Sequence, residues 1–151
     1  MRVKIENMIK QNNFMCKAIK LAKKSENEVP VGAVIVKDNK IISSSHNTII
    51  KNTNPICHAE INVINDALKK LGVMYLDECD LYVTLEPCVM CMGAILNARI
   101  RRVYFGAYDV KYGASQHILN LMHHKKTNHY PEIYGGIMEE ECRKLLEEFF
   151  R

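Results

Sequence analysis

Two short runs carry side chains able to bind a metal and move a proton: His58-Ala59-Glu60 and Pro87-Cys88-Val89-Met90-Cys91. A catalytic zinc typically takes three protein ligands and keeps a fourth position open for water. Cys88 and Cys91, at i and i+3, share one helix face and can hold one ion together. His58 completes the set if the two segments converge. A structural site would close its shell with a fourth protein ligand; here an acid, Glu60, sits two residues from the histidine. A carboxylate beside zinc-activated water can take its proton and return it to a substrate nitrogen. On an ideal helix that separation turns two side chains about 200° apart, so both must project from the helix end. Alone, C-x-x-C also suits a redox pair or a structural zinc site. Together, each ahead of an apolar helix, the two runs predict one Zn2+ held by His58, Cys88 and Cys91, with Glu60 as proton carrier. Cys57 is read as a core or bystander residue, and Cys16, Cys79 and Cys142 as packing thiols.

The elements that must bring these runs together are legible in outline. Ile5, Met8, Met15, Ile19 and Ala22 recur at helical spacing, which predicts an amphipathic first helix with that stripe inward. Val31–Val36 reads as a strand, and Asp38-Asn39-Lys40 as a tight turn into Ile41-Ile42. Asn47 to Cys57 reads as loop. A helix begins near His58 and stops at Gly72. Leu81–Leu85 is a short strand, Pro87 is expected in the first turn of the helix that follows, and Val103–Phe105 is a further strand. Residues 107–135 look least regular, and Met138, Cys142, Leu145, Leu146 and Phe149 form a last helical stripe. The order predicts an α/β fold: a three-layer α/β/α sandwich with a mixed central sheet of about five strands. Helix N-termini carry partial positive charge, so both motifs stand where thiolates and anions are favoured.

The chain has 151 residues, 48% of them hydrophobic, 25% charged, with 7 Gly and 4 Pro. That composition fits a single domain over 1–151 and excludes a disordered tail, a collagenous repeat or a disulfide miniprotein. Val31–Val36 is far short of the roughly 20 apolar residues of a membrane span. Charges recurring from Arg2 through Lys17 leave no room for a signal-peptide core, which points to the cytoplasm. In that reducing compartment the six cysteines read as ligands or core thiols. The formal charge of +4 permits a polyanionic partner without demanding one. Arg99, Arg101 and Arg102 form one basic cluster and His123 to Lys126 another, each equally readable as a solvated face.

At this point the chain resembles the zinc-dependent nucleoside deaminases, whose signature is H-x-E…P-C-x-x-C, and within them the bacterial tRNA-specific adenosine deaminases. The likeness rests on Glu28–Val34, His58-Ala59-Glu60, Leu81–Cys91, Phe105-Gly106-Ala107, Asn128-His129 and Phe149-Phe150-Arg151. It implies a cytidine deaminase-like fold and hydrolytic conversion of adenosine to inosine at the wobble position of an arginine tRNA. It also implies substrate contacts at Asn47, Ala59 and Asp109, a tRNA anticodon stem-loop as partner, and a homodimer with one zinc per subunit. Met90, Met92, Ile95 and Leu96 then face either the second subunit or an ordinary core.

Two alternatives stay open. A deaminase of a free base or nucleoside (guanine, cytosine or a pyrimidine intermediate) would share the metal chemistry, and a non-enzymatic zinc module binding RNA would share the ligands. Tyr108, Tyr112 and Tyr130 either stack on splayed bases or pack. His123, His124 and His129 either touch phosphate or stay at the surface.

Overall fold

The computed structural model describes residues 1–117, 120 and 129–151. Helix α1 (Arg2–Ala22) leads into β1 (Gly32–Lys37) and β2 (Lys40–His46), then α2 (Ala59–Leu71), β3 (Asp80–Leu85), α3 (Val89–Asn97), β4 (Arg102–Ala107) and β5 (Glu132–Tyr134), and the chain closes with α4 (Glu139–Phe149). The sheet order is β2-β1-β3-β4-β5. β1 runs antiparallel to both neighbours, whereas β3, β4 and β5 run parallel.

Alternation along the strands divides the apolar residues between two layers. Ala33, Ile35, Leu81, Val83, Val103 and Phe105 pack with Val63, Met92 and Ile95 of α2 and α3. Val34, Val36, Tyr82 and Tyr104 pack with Met15, Ala18 and Ile19 of α1 and with Cys142 and Leu145 of α4. Each fully buried aliphatic side chain stabilises the fold by about 1.5–3 kcal/mol, so the sheet is fixed from both faces. This is the expected three-layer sandwich on a mixed five-stranded sheet.

Local chemistry explains the joints. Asp38 and Asn39 adopt φ of 51° and 61°, the left-handed pair that a two-residue hairpin turn needs. A Cβ at Gly32 would overlap the Ala18 carbonyl and the Ala22 amide, so only glycine lets α1 seat on β1 this closely.

Several expectations are corrected. Met15, Ile19 and Ala22 are buried, but Ile5 and Met8 are 45% and 55% exposed, so the inward stripe is confined to the C-terminal half of α1. Pro87 lies outside α3, before the N-cap Cys88, and its carbonyl accepts the Ala114 amide at 3.0 Å. The stretch 107–135 contains β5, three residues whose pairing comes from β4 and not from their own pattern. Of the two placements open for the α3 side chains, Met92 and Ile95 take the core, fully buried within the chain, whereas Met90 and Leu96 are partly covered.

The first basic cluster is largely spent on internal partners. Arg101 makes two 3.0 Å bonds to the Asp80 carboxylate. Arg102 donates to Glu132 at 3.0 Å and reaches Asp80 at 3.6 Å, and the Arg99 guanidinium lies 3.8 Å above the Tyr75 ring. The run His123 to Lys126 and Asn128 lie outside the described residues. Among the described residues no helix is long and apolar enough to cross a membrane.

Candidate active site

β3 and β4 end, and β1 begins, at the same edge of the sheet, and α2 and α3 start there. His58 is the N-cap of α2, with φ −68° and ψ 152°; Cys88 is the N-cap of α3, with φ −76° and ψ 176°. Extended backbone at a cap swings the side chain off the helix end while its carbonyl accepts the first helical bond, here from Asn62 and Met92. This resolves the angular difficulty of His-x-Glu: the histidine precedes the helix, and Glu60 is inside its first turn.

The three expected ligands meet. One donor atom each from His58, Cys88 and Cys91 lies within 4.8 Å of the others. Nδ1 of His58 is 3.8 Å from the Cys88 sulfur and 3.5 Å from the Cys91 sulfur. Zinc–nitrogen and zinc–sulfur bonds at tetrahedral angles require about 3.6 Å between such donors, so the residues fit a zinc ion. No fourth His, Cys, Asp or Glu joins this group among the described residues. Cys57 is outside it; its sulfur lies 3.7 Å from the Asn52 side-chain nitrogen. Cys79 and Cys142 are buried, and Cys16 is half-buried against the Met138 sulfur.

Charge at the cluster is set by neighbours. As free side chains, the Cys88 thiol is lowered to about 3, first by its hydrogen bond with Cys91 and next by His58. The bond to Cys88, together with burial, raises Cys91. His58 is raised, chiefly by its bond with Cys88. Glu60 is 4% exposed, and burial pushes its carboxyl up to about 7.

The cluster opens into a cavity of about 870 Å³ walled by two loops. Asn47 joins the first loop to α2: its Oδ1 accepts the Ala59 amide at 2.9 Å and its Nδ2 donates to the Val29 carbonyl at 3.0 Å. The Ala59 amide therefore bonds within the protein, and its side chain is fully buried. Asp109 begins the second loop, where its Oδ1 accepts the amides of Lys111 and Tyr112 at 3.0 and 2.9 Å. Tyr108 and Tyr112 also line the cavity, whereas Tyr130 does not. The Tyr108 ring meets Phe105 edge-on, with centroids 5.0 Å apart. His129 is half-buried, its Nε2 2.6 Å from the Ile100 carbonyl.

A family model described as the cytidine and deoxycytidylate deaminase zinc-binding region matches residues 8–107. The tRNA-specific adenosine deaminase of Bacillus subtilis (strain 168) is 45% identical over 146 residues, covering 95% of this chain and 91% of that protein. The chain belongs to the tRNA-specific adenosine deaminase family. A second member, from Rickettsia typhi, is 48% identical over 128 residues, covering 83% of this chain and 86% of its own. A solved structure from work on A-to-I editing by tRNA:A34 deaminases at the wobble position of transfer RNA superposes with TM-score 0.83 and 42% identity, covering 89% of this chain and 99% of that one. Guanine deaminase from Nitrosomonas europaea shares the fold, with TM-score 0.77 at 20% identity over 91% of this chain and 83% of its own.

Three further residues organise this family member's cavity, and sequence reasoning attached no role to them. Glu28, 6% exposed, accepts the amides of Ile49, Ile50 and Lys51 and so anchors the first loop. Asn62 Nδ2 gathers the His46 carbonyl and Thr48 hydroxyl at 3.0 and 2.9 Å. Glu86 bonds the second loop. An acid flanked by valine, or by leucine and proline, was the available signal. Its meaning depends on which amides the fold brings to it.

Proposed function

We propose that this chain, as a single deaminase domain over residues 1–151, converts adenosine to inosine at the wobble position of tRNA, arginine tRNA in the first instance. The observation that carries the reading is the three-donor cluster of His58, Cys88 and Cys91 opening into a cavity beside buried Glu60, in a chain with these relatives. The reaction adds water at C6 of the purine and releases ammonia.

One zinc per subunit, held by His58, Cys88 and Cys91, supplies a Lewis acid that activates water near neutral pH. Glu60 accepts the proton of the attacking water on its carboxylate and passes it to N1 of the ring. As the C6–O bond becomes a carbonyl and the C6–N6 bond breaks, Glu60 relays a second proton to the departing amine. Its place suits it to this work, since Glu60 is buried and lines the cavity beside His58. Asn47 holds the base edge with its second amide hydrogen, Ala59 fixes Asn47 from beneath through its amide, and Asp109 meets the neighbouring nucleotide. Extruding the base costs a few kcal/mol, least in an unpaired loop, which favours an anticodon substrate. The enzyme works as a homodimer in the cytoplasm, with the anticodon stem-loop across the subunit boundary.

The deciding experiment offers purified zinc-loaded protein arginine tRNA and, separately, free guanine and cytidine. Inosine at the wobble site is the expected product. Ammonia released only from a small molecule would overturn the reading.

A further inference from the structure

Glu86 stands between β3 and the metal ligand Cys88, and its carboxylate is bonded to neutral donors of one loop. Oε1 accepts the Asp109 amide at 3.2 Å; Oε2 accepts the Ser115 amide at 3.3 Å and the Ser115 hydroxyl at 2.6 Å. The backbone continues the seam. The Glu86 amide donates to the Ala107 carbonyl at 2.8 Å, the Ala114 amide donates to the Pro87 carbonyl at 3.0 Å, and Cys88 bridges Gly113. A Cβ at Gly113 would overlap the Glu86 carboxylate and the Asp109 carbonyl, so the close approach requires glycine. The Ser115 hydroxyl bond is the short one of the three, as expected of an O–H donated to a carboxylate, and the two amides add longer bonds around it.

This anchorage has a direction. The loop it holds carries Tyr108, Asp109, Lys111 and Tyr112, one wall of the substrate cavity, whereas Glu86 itself bonds none of the three metal donors. We propose that Glu86 is a positioning residue for substrate binding: it clamps the 109–115 wall against the Cys88 segment, so that grip on the substrate is set separately from the chemistry at the metal. The role in turnover rests on the adenosine deaminase reading; the clamp itself does not.

The test uses Glu86→Ala and the conservative Glu86→Gln in the full chain, with three readouts: bound zinc, hydrogen exchange at the Asp109 and Ser115 amides, and kinetics on a wobble-adenosine stem-loop. Both variants should keep one zinc per chain. In Glu86→Ala the two amides should exchange faster, and KM should rise about tenfold with kcat changed less than about threefold, the signature of lost uniform binding. Glu86→Gln, which keeps one acceptor, should fall between Ala and the parent. Loss of zinc, or a fall in kcat at constant KM, would move Glu86 into the metal centre and overturn the proposal. Unchanged exchange at both amides would overturn it as well. If the parent protein leaves the stem-loop unreacted, the proposed function fails while exchange still decides the clamp.

Discussion

The two edges of the central sheet are built from similar residue types to opposite ends. At the edge where β3 and β4 begin, charge meets countercharge: Asp80, 8% exposed, is held by Arg101 and Arg102, and Arg102 also holds Glu132. At the edge where they end, two helix N-termini converge on an imidazole and two cysteine sulfurs, and the buried carboxylate of Glu60 stands beside them. The first edge spends its polar groups on each other. The second leaves them committed to something the chain itself does not provide. Stability and chemistry are thereby separated by the length of a strand, and variants at the two edges should fail differently.

The largest effect is expected at the ligands. His58→Ala, Cys88→Ala or Cys91→Ala should abolish zinc binding and lower inosine formation by about a thousandfold or more, as measured by metal analysis and product assay on the same sample. A variant that kept zinc and turnover would break the comparison at once.

Glu60→Gln should keep zinc and lower kcat by about 10²–10⁴-fold, the usual worth of a general acid–base. It also carries a stability signature of opposite sign. Burial raises the Glu60 carboxyl from 4.5 to about 7, so the folded chain holds that proton where the unfolded chain has lost it. Stability of the metal-free protein therefore carries no penalty from Glu60 below pH 4.5, loses ground as pH rises, and bears the whole penalty above about 7. Urea unfolding of chelated samples should find Glu60→Gln more stable than the parent near pH 8, and nearly equal to it near pH 4.

Asn47→Ala should reduce turnover by about tenfold while zinc content is unchanged, since it loses the bonds to Ala59 and Val29 but no metal donor. Loss of metal would show instead that the first loop holds up the metal site. At the other edge, Asp80→Asn should cost about 2 kcal/mol of stability, with kcat/KM unmoved at temperatures where the protein is folded. The Arg101 side chain is 43% exposed, which keeps that cost below the value for a fully buried pair. A fall in kcat/KM would mean the edges are coupled. Smallest of all, Glu132→Gln should leave activity intact and shift the thermal midpoint least, because its pair with Arg102 is screened by solvent.

Much of the site was readable because its chemistry is local. His58, Cys88 and Cys91 stand at the heads of two helices, where zinc's demand for nitrogen and sulfur donors makes their spacing legible, and Glu60 follows His58 by two residues. The strands declared themselves by β-branched runs with turn residues between, so the sandwich followed. The first half of α1 deceived the pattern: Ile5 and Met8 keep helical spacing but are not covered. β5 has no pattern of its own, being three residues recruited by the open edge of β4. Arg101 and Arg102 read as a basic face until strand register set Asp80 and Glu132 beside them.

By itself, then, the order of residues determined the three metal donors, the acid beside them, the layering of the sheet and the places where its helices start, because each follows from side-chain chemistry or from a repeat of two or about 3.6 positions. Tertiary structure alone decided that His58 and Cys88 are caps projecting off their helices, that Glu28 and Glu86 hold the two cavity walls, and that the arginines answer inward acids. Those outcomes depend on amides and charges far apart in the chain reaching bonding distance, which no local pattern encodes.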